Sequence, residues 1–140
     1  MGGRWERFPC SAQVQRCKAE SKDLTDPLAA KALLASVEHY VRLEKWSSYL
    51  FLLMPDHLHA LMSFSNEKSM GGLMSDWKGY HSKTLGVVWQ DNFFDHRIRT
   101  HQEFSEKFQY IQMNPVVKGL CETVQEWPWQ SVSSGALAHV

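Results

Sequence analysis

The hydrophobic pattern of the chain is organised around the stretch from Ser48 to Phe64, where two apolar runs flank Met54-Pro55-Asp56. Proline followed by aspartate suits the centre of a type I turn, so the pattern predicts two strands joined tightly there, the second opening with His57-Leu58-His59. Successive side chains of a strand point to opposite faces. His57 and His59 therefore project from one face, ~6.5–7 Å apart along the chain, while Leu58 turns into a core. Upstream, Phe8, Cys10, Ala12 and Val14 alternate with polar residues, which predicts a half-buried strand over 8–14. Asp26-Pro27 reads as an N-cap with proline in the first helical position. Leu28, Leu33, Leu34, Val37, Tyr40 and Val41 then recur at helical spacing to about Glu44.

Past a polar connection at 65–68, Met70, Leu73, Met74, Trp77, Tyr80 and His81 fall on one helical stripe, ended by Gly86. Val87-Val88-Trp89 and Phe93-Phe94 flank Gln90-Asp91-Asn92, predicting two short extended segments around a turn. Thr100 and Glu103 form a capping box, opening a helix expected to run to Asn114 and to be stopped by Pro115. Phe104, Phe108 and Ile111 mark its buried stripe. Tyr110 and Asn114, one turn apart, neighbour each other on a different face. Trp127 and Trp129, around Pro128, are expected to cover a core edge.

A chain of 140 residues with 44% hydrophobic content fits one domain over 1–140. The run from Tyr49 to Pro55 is too short to span a bilayer, and Arg4, Glu6 and Arg7 interrupt any apolar leader, so the expected location is the cytoplasm, with no membrane partner. Cys10, Cys17 and Cys121 are odd in number and lack Cys-x-x-Cys spacing, which argues against a disulfide framework or zinc ribbon. Lys plus Arg and Asp plus Glu both count 15. That balance disfavours a protein that coats nucleic acid through bulk charge, and any such contact must be local.

The histidine pair has two readings on residues alone: two imidazoles sharing one cation, or two histidines on a solvated or hydrogen-bonded strand face. Lys78 and Lys83 lie away from the centre of their helical stripe, as solvated residues or as phosphate contacts. Arg97 and Arg99, interleaved with Trp89 and Phe94, suit base stacking and phosphate contact as well as they suit a salt-bridged hairpin edge.

Several spaced motifs agree with one another. Met54-Pro55-Asp56-His57-Leu58-His59, then Val88-Trp89-Gln90 with Phe94-Asp95-His96, then Tyr110-Ile111-Gln112-Met113-Asn114-Pro115-Val116-Val117-Lys118-Gly119-Leu120, and finally Trp127-Pro128-Trp129 occur in the order seen in the one-tyrosine HUH transposases. The chain most resembles the REP-associated tyrosine transposases, relatives of the IS-two-hundred-like insertion-sequence enzymes. The resemblance is strong over residues 45 to 131.

The resemblance implies an α+β fold, a ferredoxin-like sandwich with an antiparallel β-sheet and helices packed on one face. It implies Tyr110 as nucleophile, and His57, His59 and Asn114 around a divalent ion, Mg²⁺ or Mn²⁺. Insertion-sequence members usually carry glutamine where Asn114 stands, and relatives often carry asparagine in place of Asp56. The implied substrate is single-stranded DNA, often a folded hairpin, cut and rejoined through a 5′-phosphotyrosine by a monomer or homodimer. Lys78, Lys83, Trp89, Arg97 and Arg99 are the expected DNA contacts. Two rival readings are a domesticated hairpin-binding protein that no longer cuts, and a metal-dependent hydrolase in which water attacks directly.

Overall fold

A computed structural model of the chain describes residues 10–64, 67–134 and 136. Strand β1 (Cys10–Cys17) leads through helix α1 (Pro27–Arg42) to β2 (Trp46–Met54) and β3 (His57–Phe64). Helix α2 (Glu67–Leu85), strand β4 (Trp89–Arg97), helix α3 (His101–Val117), a 3₁₀ turn (Val124–Glu126) and β5 (Gln130–Val132) follow. The sheet has the order β4-β1-β3-β2-β5, and every neighbouring pair is antiparallel. The first six elements thus form a β-α-β-β-α-β unit of ferredoxin-like type, the α+β fold expected from the sequence.

Helix boundaries follow local chemistry. Asp26 caps α1 by accepting from the Ala29 amide at 3.2 Å, with Pro27 in the first turn. At its far end the Glu44 N–H bonds the Val41 carbonyl and the Lys45 N–H the Tyr40 carbonyl, both at 2.9 Å, closing a Schellman motif. Glu44 occupies the left-handed position there with φ of 58°, where glycine is usual. Thr100 caps α3 through the Glu103 amide, and the Glu103 carboxylate accepts from the Arg99 amide at 2.8 Å.

Two cores lie on the two faces of the sheet. Leu58, Ala60, Met62, Phe51 and Leu53 pack with Leu33, Val37, Met74 and Trp77 of α1 and α2. On the other face, Leu50, Leu52, Met54 and Leu61 pack with Phe104, Phe108 and Ile111 of α3. Each such buried side chain contributes roughly 1.5–3 kcal/mol relative to exposure. The helices of the β-α-β-β-α-β unit share one face, as expected, while α3 takes the opposite face. The continuous apolar run Tyr49–Met54 requires this, because a strand buried on both sides must have a layer above and below.

Four sequence expectations meet a different outcome. Strand β1 extends to Cys17, and its polar positions Gln13 and Gln15 are fully buried while Ala12 and Val14 are half-buried, so its alternation points the other way. Residues 8 and 9 lie outside the described residues. The proposed turn at Gln90-Asp91-Asn92 is instead continuous strand. The Gln15 side-chain amide donates to the Gln90 and Asn92 carbonyls at 2.9 and 3.2 Å and holds the segment extended. Pro115 does not stop α3. The helix closes beyond it, where Gly119 (φ 75°) bonds the Val116 carbonyl and Leu120 the Pro115 carbonyl, both at 2.9 Å. Tyr80, expected in the core stripe of α2, is 62% exposed, whereas Met74, Trp77 and His81 are buried. Trp127 covers the core edge as expected, donating to the Leu53 carbonyl at 3.0 Å.

Candidate active site

Pro55 and Asp56 form the two-residue connection between β2 and β3, so β3 starts at His57. The connection is pinned from outside: the Leu24 amide bonds the Pro55 carbonyl at 3.0 Å and the Cys17 amide the Asp56 carbonyl at 2.9 Å. His57 and His59 share the sheet face that α3 covers, and Leu58 is buried on the other. Both imidazoles are nearly buried, with ring centroids 4.9 Å apart.

Asn114, in the last turn of α3, brings its side-chain amide against both rings. Its Nδ2 lies 2.9 Å from Nε2 of His59 and 3.4 Å from Nε2 of His57. Both Nε2 atoms therefore face a single point. Asp56 sits on the far side of His57, with Oδ1 2.7 Å from Nδ1. It accepts the Nδ1 proton, which leaves the Nε2 lone pair of His57 turned towards Asn114. The hydrogen bond from His57 holds the Asp56 carboxyl below the usual carboxylate range. Asp56 thus orients a ring and does not face the point where the rings converge. Burial, then the charges of His57, Arg16 and Lys107, push His59 down to about 4, so it is neutral at physiological pH with a free lone pair.

Tyr110 stands one turn before Asn114. It is 67% exposed, and its ring centroid is 6.4 Å from that of His59 in an edge-on arrangement. The phenol is therefore accessible and lies beside the imidazole pair. Tyr110, Asn114, His57, His59 and Asp56 line one cleft of about 470 Å³, together with Arg16 and Lys118.

These last two cations were not apparent in the sequence. Arg16 is paired with His57 across β1 and β3, on the same face. Lys118 caps α3 one turn past Asn114, a position that exists only because the helix continues through Pro115. The even-numbered positions of β1 were the available signal for Arg16, and the Gly119 stop was the signal for Lys118.

The expected DNA contacts fall elsewhere. Lys78 Nζ donates to the buried Gln15 amide oxygen at 2.8 Å, and the Trp89 indole donates to the Lys78 carbonyl at 2.9 Å. Trp89 pairs with Cys17, and Arg97 with Ser11, so both project from the α1–α2 face, away from the histidines. Lys83 is exposed in the last turn of α2. Arg99 follows the end of β4 and so does not share a strand face with Arg97. None of the five lines the cleft.

Among the described residues no group of three or more His, Cys, Asp or Glu gathers at metal-binding spacing. A divalent ion here would instead take two imidazole nitrogens and an amide oxygen. The donor set fits: both Nε2 atoms converge, second-neighbour Asp56 fixes one tautomer, and turning the Asn114 amide by 180° presents Oδ1 in place of Nδ2. The mixed nitrogen and oxygen set is compatible with Mg²⁺ and better suited to Mn²⁺.

No family model matches the chain. A Haemophilus influenzae protein named as a REP-associated tyrosine transposase is 25% identical over 120 residues, covering 74% of this chain and 66% of its own length. The REP-associated tyrosine transposase of Escherichia coli K12 is 26% identical over 86 residues, covering 58% of this chain and 51% of its own. The chain thus spans about half to two thirds of these relatives. Among solved structures, a REP-associated tyrosine transposase bound to a REP hairpin superposes with a TM-score of 0.73 at 20% identity, over 89% of this chain and 76% of that one. A Deinococcus radiodurans R1 protein described as a putative transposase gives a TM-score of 0.53 at 16% identity, over 75% of this chain and 89% of that one. The two structural likenesses show the fold. In sequence and in fold the chain is thus similar to REP-associated tyrosine transposases.

Proposed function

We propose that this protein is a transposase that cuts and rejoins single-stranded DNA through a covalent tyrosine link, with the target strand presented beside a hairpin. The observation that carries this reading is the convergence of both His Nε2 atoms on Asn114, with exposed Tyr110 one helical turn away in the same cleft. A nucleophile and a phosphate site held on two rigid elements meet the proximity requirement of group transfer.

His57, His59 and Asn114 would hold a divalent ion, Mg²⁺ or Mn²⁺, which when bound offsets charge that accumulates on the phosphate oxygens. The remaining work belongs to the chain. Arg16 and Lys118 flank the cleft and attract the phosphate backbone locally, which a net charge of zero permits. The Tyr110 oxygen attacks the phosphorus, its phenolic proton leaving to water. The bond from phosphorus to the 3′-oxygen breaks, and that oxygen takes up a proton, giving a 5′-phosphotyrosine and a free 3′-hydroxyl. Reversal by another 3′-hydroxyl rejoins the strand without ATP, because the ester bond is conserved in the protein link. Asp56 keeps His57 in the tautomer that presents Nε2.

The deciding experiment incubates the protein with a labelled DNA hairpin bearing single-stranded flanks, with and without Mn²⁺, and resolves products on a denaturing gel. A protein-linked DNA band that needs Mn²⁺ and vanishes in Tyr110→Phe, with hairpin binding retained, is expected. Cleavage that survives Tyr110→Phe overturns the reading in favour of attack by water. Binding with no cleavage in either protein overturns it in favour of a hairpin-binding protein.

A further inference from the structure

We infer that Phe94 is a stacking platform for a base of the single strand, next to the phosphate position at the histidine pair. The inference rests on the reading above and extends it to one further residue.

The sheet register fixes the geometry. Phe94 pairs with Val14, and Val14 pairs with His59, so the three side chains form one row across β4, β1 and β3 on the same face. With neighbouring strands ~4.8 Å apart, the Phe94 backbone is ~10 Å from that of His59. Helix α3 covers the β2–β3 side of this face through Phe104, Phe108 and Ile111, which pack on Leu50, Leu52 and Leu61. It leaves the β1–β4 side open: Ala12 and Val14 stay half-buried, and Phe94 is 62% exposed.

A trough results. Its floor is Phe94, Val14 and Ala12, and its wall is the edge of α3 that carries Glu103, Lys107, Tyr110 and Asn114 at spacings of one turn. Both ends of that edge are tied to the sheet, by His96 Nε2 to Glu103 at 2.7 Å and by Asn114 to His59 at 2.9 Å. Lys107 is close enough for its charge to act on His59, and Arg16 stands opposite His57 where the trough opens into the cleft.

An apolar floor with one exposed ring, cations along the rim and the reactive phenol on the wall is the chemistry of a single nucleic-acid strand, bases down and phosphates towards the charges. The neighbouring Phe93 points to the opposite face with Gln15 and packs against the core there, so its exposed neighbour is the one free to stack. A stack on Phe94 would hold the nucleotide chain at a fixed offset from Tyr110.

The test uses the full chain carrying Tyr110→Phe, so that no bond breaks, and a DNA hairpin whose single-stranded flank carries 2-aminopurine at successive positions. One position is expected to lose fluorescence on binding. Adding Phe94→Ala should abolish that quenching and weaken binding about tenfold to a hundredfold, with the salt dependence unchanged because phosphate contacts remain. Phe94→Trp should restore both. Binding of the Phe94→Ala protein within twofold of its parent, with the same quenching, overturns the inference and leaves the transposase reading standing. Absence of DNA binding by the parent overturns both.

Discussion

Removing the Asp56 carboxylate should weaken divalent-ion binding about tenfold without removing any atom that would touch the ion. The carboxylate accepts the Nδ1 proton of His57 at 2.7 Å, and partners of this kind are worth about 10- to 100-fold in metal affinity. The Asp56 side chain is 76% exposed, so water and salt screen its charge, and the low end of that range applies: a tenfold loss, about 1.4 kcal/mol. Asp56→Asn keeps an oxygen that can accept the same proton and loses only the charge, so about a threefold loss is expected. The measurement is a Mn²⁺ titration followed by electron paramagnetic resonance or calorimetry at neutral pH and low salt, on wild type, Asp56→Ala and Asp56→Asn. Affinity falling in that order supports the role of Asp56 as the residue that orients His57. An Asp56→Ala protein that binds Mn²⁺ as tightly as wild type refutes it.

Other expectations follow from features outside that contact. Glu44 holds a left-handed conformation at the end of α1, so Glu44→Gly should stabilise the protein by about 1 kcal/mol and raise its melting midpoint by roughly 3–5 °C; a lower midpoint contradicts the argument. His81 is buried with Nε2 2.7 Å from the Ser36 hydroxyl, and burial pushes it down to about 4 from its ordinary 6.5. The unfolded chain therefore binds the proton more readily, and stability present above pH 6.5 is lost as pH falls from 6.5 towards 4, by at most about 3 kcal/mol from this group. Urea midpoints across that range should fall less steeply in His81→Gln, and an unchanged slope excludes the group. Arg16 and Lys118 flank the cleft, so replacing both with Ala should lower the slope of log affinity against log salt by about 2 for single-stranded DNA at most, and an unaltered slope would remove them from the DNA path.

What could be read from the sequence was set by short-range rules. The two-residue period of a strand left one arrangement for His57-Leu58-His59, and one helical turn separates Tyr110 from Asn114 whatever the tertiary fold. The caps at Asp26 and Thr100 were equally local. The features that escaped depend on partners far along the chain. Whether Gln90-Asp91-Asn92 turns or extends is decided by Gln15 on a neighbouring strand. Which face Trp89 and Arg97 occupy is decided by their register with Cys17 and Ser11, and that register directs them away from the histidines. Pro115 looked like a stop because a proline removes one amide donor, yet the Gly119 closure four residues later carries the helix on and brings Lys118 to the cleft. The sandwich acquired its second layer on the α3 face because β2 is apolar on both sides, a consequence visible in Tyr49–Met54 only once the sheet order is known.

The central claim is that the Tyr110 oxygen becomes bonded to DNA phosphorus beside the two imidazoles. Mass spectrometry of the protein digested after incubation with a hairpin DNA and Mn²⁺ tests it most directly. The account predicts a nucleotide attached through its 5′-phosphate to the peptide carrying Tyr110, and loss of that species in His57→Ala and His59→Ala. Cut DNA with an unmodified Tyr110 peptide, or the nucleotide on another residue, would contradict it.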